Sequence, residues 1–443
     1  MSFLERLVNK VGNVLDNDSL KDSGAEWIGL IPQEWGISKI GSLYTLRNQK
    51  VSDKDYPPLS VTMNGVVPQL ATAAKTDDGD NRKLVQVGDF AINSRSDRRG
   101  SCGISQYDGS VSLINTILTP RGKMHPGYYN WLFHTTSFAD EFYKWGHGIV
   151  DDLWTTHWQE MKRILVPVPP CEIQNQIALF LEEYCSKIDS VISEAKASIE
   201  EYKSWKASII YEAVTKGLDP DVKMKDSGIK WIGDIPHSWD VLRLKYVIAS
   251  IESGVSVNAS QSAAEEGKIG VLKTSSVSKY SFRPEENKEV NLEELDRISC
   301  PVRANAIIVS RMNTPELVGA CGYVEQDYPN LFLPDRLWQV HFLNSVVVKY
   351  IWYYLSSNYI RNYYSSLSSG TSSSMQNISQ GQFENARLLL PPPEVQRDIV
   401  EFLDKKCATL DSLVAEKESL IADLEAYKKS LIFEVVAGKR RVV

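Results

Sequence analysis

The chain repeats itself, and no other feature constrains its fold as tightly. Lys21–Trp35 reads KDSGAEWIGLIPQEW and Lys225–Trp239 reads KDSGIKWIGDIPHSW, with ten of fifteen positions identical, too many for chance. A second pair closes each half: PPCEIQNQIALFLEEYCSKID from Pro169 to Asp189 matches PPPEVQRDIVEFLDKKCATLD from Pro391 to Asp411, setting Cys185 opposite Cys407. Self-similarity of this kind means one structural unit made twice. Between the markers the halves diverge, with a few landmarks left. Ser94-Arg95 followed by Gly100-Ser101-Cys102-Gly103 matches Ser310-Arg311 followed by Gly319-Ala320-Cys321-Gly322, and Gly148 matches Gly370. A shared frame around unlike interiors implies one scaffold presenting two different binding surfaces.

The frame includes two long helices. From Glu172 to Lys216 there is no Pro or Gly. Apolar or aromatic residues recur there at Ile177, Leu181, Tyr184, Ile188, Val191, Ala195, Ile199, Tyr202, Trp205, Ile209 and Ala213. Steps of three and four make a helical seam. The second copy carries Ile399, Leu403, Leu410, Leu413, Ile421, Leu424, Tyr427, Leu431 and Val435, interrupted by Lys406 and Lys417. Both runs begin after prolines, which suit the first turn of a helix and not its interior. About 45 residues at 1.5 Å each rise roughly 67 Å, more than a globular core needs. A seam of that length calls for a partner, and the economical one is the other copy. The expectation is an antiparallel coiled coil relating the two halves by a pseudo-twofold, with Leu4–Asp22 docking after the second helix to complete a circular pattern. Packing of each helix on its own domain is the alternative.

These readings divide the chain into an N-terminal helical segment (1–20), a first variable domain (21–170), the central helix (171–217), a second variable domain (218–392) and the C-terminal helix (393–443). The fold class is α+β: two globular domains in pseudo-twofold repeat, separated by the two helices. With 43% hydrophobic and 24% charged residues the composition is that of a soluble globular protein. Met1–Leu15 is broken by Glu5, Arg6 and Lys10, so it is no signal peptide; no run is long enough to span a bilayer, and cytoplasmic residence is expected. The six cysteines form no Cys-x-x-Cys pair and read as reduced, mostly buried thiols.

The twice-occurring W-I-G-x-I-P-x-x-W, at Trp27–Trp35 and Trp231–Trp239, resembles the frame of the specificity subunits of type I restriction-modification systems. So does the Pro-Pro-x-Glu-x-Gln-x-x-Ile helix start, on Pro169, Pro170, Glu172, Gln174 and Ile177 and again on Pro391, Pro392, Glu394, Gln396 and Ile399. The resemblance covers nearly the whole chain. It implies that the variable domains are target-recognition domains, each reading half of a split, asymmetric site on double-stranded DNA, with the coiled coil setting the unread gap. It also implies that the frame recruits two methyltransferase (modification) subunits acting on adenine, joined by restriction/translocase subunits. The net charge of −7 sits uneasily with a DNA ligand, since phosphate neutralisation normally dominates affinity. A duplicated coiled-coil adaptor that binds proteins and no DNA therefore stays open.

Candidate DNA-binding residues fall on two loops per half. Arg95, Arg98 and Arg99 follow an apparent strand, where guanidinium groups pair with guanine or clamp phosphate; a solvated loop with ion pairs to Asp97 is the plainer reading. Arg311 and Asn313, with Thr314, hold what reads as the corresponding place, and a shared structural salt bridge is the alternative. Ser372, Ser373, Gln376 and Asn377, with Gln380, form an uncharged hydrogen-bonding run after Gly370, or merely a flexible loop. The first half offers Thr155 and Thr156 with His147, Trp154, His157 and Trp158, although burial is the commoner fate of each Trp. There the polar turn is replaced by Gly148-Ile149-Val150-Asp151-Asp152-Leu153-Trp154, and the acidic pair is unfriendly to phosphate unless it accepts from a cytosine amino group. Trp27, Trp35, Trp231 and Trp239 read as core or partner-interface residues.

The chain reads as non-catalytic. It has no glycine-rich cofactor loop, and Tyr56-Pro57-Pro58-Leu59 lacks the amide or acid that leads a base-gripping Pro-Pro-Tyr loop. Pro220-Asp221 and Pro334-Asp335 lack a well-spaced acid-x-Lys follower, and no phosphate-cradling Gly-x-x-x-x-Gly-Lys-Ser/Thr run is present. No cofactor or metal is expected.

Overall fold

The computed structural model of the chain describes residues 19–70, 79–95, 98–148, 154–230, 232–372 and 375–442. They form two compact units, one built from the chain up to Lys196 together with Glu418–Val443, the other from Ala197–Lys417. Each unit thus takes one half of each long helix.

The helices run Cys171–Lys216 and Pro393–Val436. Both stop at a glycine in the left-handed region, Gly217 at φ +79° and Gly438 at φ +69°, a conformation only glycine takes without steric cost. The second helix therefore ends at Val436 and does not continue to the last residue as expected. The segment beyond folds back, the Lys439 N–H reaching the Glu434 carbonyl at 2.7 Å. At the other end, only Ser19 and Leu20 of the expected helical segment over 1–20 are among the described residues, and Leu20 belongs to a strand, Leu20–Asp22, paired with Leu30–Pro32.

In the first unit Ile177, Leu181, Cys185, Ile188 and Ile192 share a core with Leu424, Leu431 and Val435. In the second, Ile210, Ala213 and Val214 share one with Ile399, Leu403 and Cys407. The pairing is antiparallel in both. Lys428 holds Asp189 at 2.6 Å in the first unit, and Lys206 holds Asp411 at 2.7 Å in the second, the same pair of repeat positions. Cys407 fills the seam where Lys406 interrupts the pattern. Trp205, expected in the seam, is instead 56% exposed. Strict steps of three and four drift around a 3.6-residue helix, and Trp205 lies just past the edge.

Each unit carries the same four-stranded antiparallel sheet. In strand order it is Cys102–Ile104, Phe90–Asn93, Asn115–Pro120, Tyr44–Arg47 in the first unit and Cys321–Val324, Ala306–Ser310, Leu337–Phe342, Ile248–Ser253 in the second. The strands Phe90–Asn93 and Ala306–Ser310 are buried throughout, which explains their unbroken apolar runs. One face is covered by two short helices, Pro126–Phe133 with Thr136–Lys144, and Val348–Ser356 with Asn358–Leu367. Proline at the first position starts one, and the Thr135 hydroxyl, accepting from the Phe138 N–H at 3.2 Å, caps the next. Packed rings, among them Tyr44, Phe90, Tyr129 and Phe133, fill the first core.

The strand that follows each repeated entry motif pairs with the strand that closes the domain: Gly36–Lys39 with Leu165–Val168, and Asp240–Arg243 with Arg387–Leu390. The repeated tryptophans are frame residues. Trp35 (4% exposed) packs against Gly438 and Trp239 (1%) against Gly217, while the Trp27 indole donates to the Leu165 carbonyl at 3.2 Å. Trp231 lies outside the described residues. The repeated Cys-Gly has an equally local cause, because a Cβ on Gly103 would lie 2.6 Å from Gly65 Cα and one on Gly322 2.6 Å from the Phe282 nitrogen. In each half an inserted segment crosses the sheet where only glycine leaves room. The insertions themselves differ. The first unit has the hairpin Leu59–Thr62/Gly65–Pro68 and a three-stranded sheet; the second has a four-stranded sheet with one parallel pair.

Candidate nucleic-acid interface

In each unit the central strand of the sheet runs out into the basic segment and is crossed there by the segment that ends the domain. In the second unit this makes a small three-stranded sheet, Met312–Asn313, Met375–Asn377 and Ser369–Ser372. Asn313 pairs with Gln376, Met312 with Asn377, and Ser372 with Met375. The fold therefore brings Arg311, Asn313, Ser372, Gln376 and Asn377 together from distant parts of the sequence. The backbone of Ser372 is described but not its side chain, and Ser373 lies outside the described residues. A Cβ on Gly370 would sit 2.1 Å from the Met375 carbonyl oxygen, so the tight ribbon depends on that glycine.

Arg311 lies over the Trp338 ring, 5.9 Å from its centroid, and its carbonyl accepts from the Ile378 N–H at 3.0 Å. Its Nε and the Oδ1 of Asn377 are buried polar atoms without a hydrogen-bond partner among the described residues. Such atoms carry a desolvation cost that an incoming polar ligand relieves. Asn313 is partly committed, its Nδ2 donating to Ser310 Oγ at 3.2 Å and its Oδ1 accepting from the Thr314 N–H at 2.9 Å. Gln380 is turned to its own helix, donating to Glu384 at 2.7 Å.

The first unit builds the same crossing from single bridges. Arg95 pairs with Thr155, and His147 with Thr155, around a loop whose residues 149–153 lie outside the described residues, as does Asp97. Arg98 is exposed in the turn that follows. Arg99 is committed to helix Thr136–Lys144, forming an ion pair with Asp140 and lying over the Tyr143 ring. Thr156 is fully buried, its hydroxyl donating to the Phe142 carbonyl at 2.8 Å, so it anchors the segment and does not face outward. The Trp154 indole donates to the Tyr143 carbonyl at 2.7 Å, and Trp158 packs on the core.

Strand register corrects one sequence match. Cys102 pairs with Ile92 and Cys321 with Val309, which aligns Ser94 with Arg311 and Arg95 with Met312. The identical Ser-Arg dipeptides are thus one residue out of phase, and a slip of one turns a side chain to the other face. The signal that separates them is spacing, since the stretch from Ser-Arg to the Gly-x-Cys-Gly landmark is longer in the second half. Gly148 and Gly370, by contrast, do fall at the same place, each just after the residue that closes the crossing.

A family model described as the type I restriction modification DNA specificity domain matches residues 236–421. The specificity subunit of the MjaVIII type I restriction enzyme of Methanocaldococcus jannaschii is 25% identical over 435 residues, covering 93% of this chain and 94% of that protein. That of the EcoEI enzyme of Escherichia coli is 28% identical over 188 residues, 42% of this chain and 32% of that protein. A chain from a type I R-M system, solved in a study of its complex assembly and conformational transition, superposes with a TM-score of 0.68 at 15% identity, over 92% of this chain and 99% of that one. The HsdS subunit from Thermoanaerobacter tengcongensis gives 0.50 at 17% identity, over 92% and 98%. Over residues 236–421 the chain is thus similar to the type I specificity domain, and over nine-tenths of its length its fold is like that of the solved HsdS subunit.

Proposed function

We propose that this chain selects the DNA target of a type I restriction-modification complex, each recognition domain reading one half of a bipartite, asymmetric site and the helix pair setting the gap between halves. The observation that carries this reading is the crossing present in both units, with a like scaffold and unlike side chains. The second crossing offers Arg311, Gln376 and Asn377, with Arg311 Nε and Asn377 Oδ1 unpaired among the described residues; the first offers Arg95, Arg98 and Thr155. Arginine suits guanine or phosphate, and amides suit adenine. The frame would recruit two methyltransferase subunits, and restriction/translocase subunits would join them; methylation and cleavage belong to those partners.

The test is a methylation and gel-shift comparison on the complex reconstituted with its modification subunits, using the site found by mapping modified adenines. Wild type should prefer that two-part duplex over random duplex, and Arg311→Ala should weaken the preference by about 1–3 kcal/mol in one half-site only. Equal binding of random duplex by the wild-type complex refutes the reading.

A further inference from the structure

Each recognition domain is fastened to the long helices by a few polar atoms. In the first unit the His125 backbone N–H, at the head of helix Pro126–Phe133, donates to Gln174 Oε1 at 2.8 Å, and Gln174 Nε2 donates to the Pro169 carbonyl at 2.8 Å. One turn on, the Tyr128 hydroxyl donates to the carbonyl of Val436, the last residue of the other long helix, at 2.7 Å. The second unit repeats the glutamine arrangement. The Val347 N–H donates to Gln396 Oε1 at 2.8 Å and Gln396 Nε2 to the Pro391 carbonyl at 2.7 Å. The Tyr350 hydroxyl reaches the Leu389 carbonyl at 2.9 Å and the Val214 carbonyl at 3.5 Å.

Gln174 is 2% exposed and Gln396 1%. Burial holds the Tyr128 and Tyr350 phenols well above their ordinary range, so both remain protonated donors. In the first unit the contact around these atoms is largely apolar, and apolar contact is non-directional; in the second, the helix Val348–Ser356 also meets Asp404 of the long helix, through Lys349 at 3.0 Å and the Tyr353 hydroxyl at 2.7 Å. A buried amide that must donate to one backbone group and accept from another tolerates little rotation. The interiors of the two domains have diverged almost completely, yet the glutamine fastening is the same in both; the tyrosine differs, since Tyr350 gives its one proton to Leu389 of its own domain.

We propose that Gln174 with Tyr128 in the first unit, and Gln396 in the second, are positioning residues that fix the angle at which each recognition domain stands on its helices, and with it the base-pair phase at which its half-site is met. The inference rests on the DNA-reading assignment above. It is tested on the reconstituted complex with duplexes carrying both half-sites at the native gap and at gaps one base pair longer or shorter. Gln174→Met keeps the side chain's length and loses both hydrogen bonds; Tyr128→Phe removes the other one.

In each variant the discrimination against altered gaps should fall by about tenfold, the factor one ordinary hydrogen bond supplies. Discrimination against base changes inside the half-site read by the second domain should stay as in wild type. Unchanged gap discrimination in a variant that melts like wild type overturns the proposal, and so does a loss of methylation spread evenly over all gaps. If Gln174→Met does not fold, Tyr128→Phe and Gln396→Met carry the same comparison. A wild-type complex indifferent to every two-part target refutes the DNA-reading assignment instead, before any variant is compared.

Discussion

Single residues in this chain divide into those that repeat for a backbone reason and those that differ for a reading reason. Gly322 belongs to the first kind: Gly322→Ala pushes a Cβ to 2.6 Å from the Phe282 nitrogen, which is backbone and cannot swing aside. It should destabilise the second unit by about 1–3 kcal/mol, seen as an earlier transition in urea. The cysteines give a chemical check on the same packing. All six carry free thiols; burial pushes that of Cys321 up to about 12 and that of Cys185 to about 11, while Cys171 is exposed. The thiolate is the reactive form, so a raised pKa keeps these groups inert at pH 8. Brief alkylation at that pH should label Cys171 well before Cys185 or Cys321, and equal labelling would mean the cores are open. What sequence could not supply at this scale was orientation. Arg99 and Thr156 are polar residues in the right loops, yet one is held by Asp140 and the other is spent on a carbonyl. Only the fold says which way a loop side chain is committed.

Among elements, the long helices were the most legible, because the 3.6-residue period and flanking prolines leave little choice. Their ends were less so: the stop at Val436 is decided by Gly438, which lies against Pro32 and Trp35 from the far end of the sequence. Leu181 and Leu403 occupy the same repeat position and both are 0% exposed. Alanine at either should cost about 2–5 kcal/mol, with Leu181→Ala lowering only the transition of the first unit and Leu403→Ala only that of the second. A single shared loss would mean the units do not unfold separately. The ion pairs Asp189–Lys428 and Lys206–Asp411 are half-exposed and add little stability, as surface pairs generally do. The short strands of the inserted segments were beyond sequence reading, since two- and three-residue strands such as Met312–Asn313 have no periodicity to detect.

At the scale of the molecule, the twofold organisation was legible from the residues alone, because duplication in order around unlike interiors is a pattern few folds produce. The division into units was not. A contiguous reading puts boundaries at the helix starts, whereas compactness puts them within the helices, at Lys196/Ala197 and Lys417/Glu418. Removing one heptad from the centre of each long helix should therefore leave both recognition domains intact. Modified adenines mapped in cells carrying that variant should show the same half-sites with a shorter gap, and altered half-sites would contradict the assignment of reading to the domains. The unequal make-up of the two units has a consequence for synthesis. Ala197–Lys417 is continuous and holds everything its core needs, so it can close while the ribosome is still adding residues. The other unit begins first but closes later, because Leu181 and Ile188 find Leu424, Leu431 and Val435 only after the far part of the second long helix has been translated. The half made earliest must wait, with its apolar strip open, until the far part of the second long helix has been made.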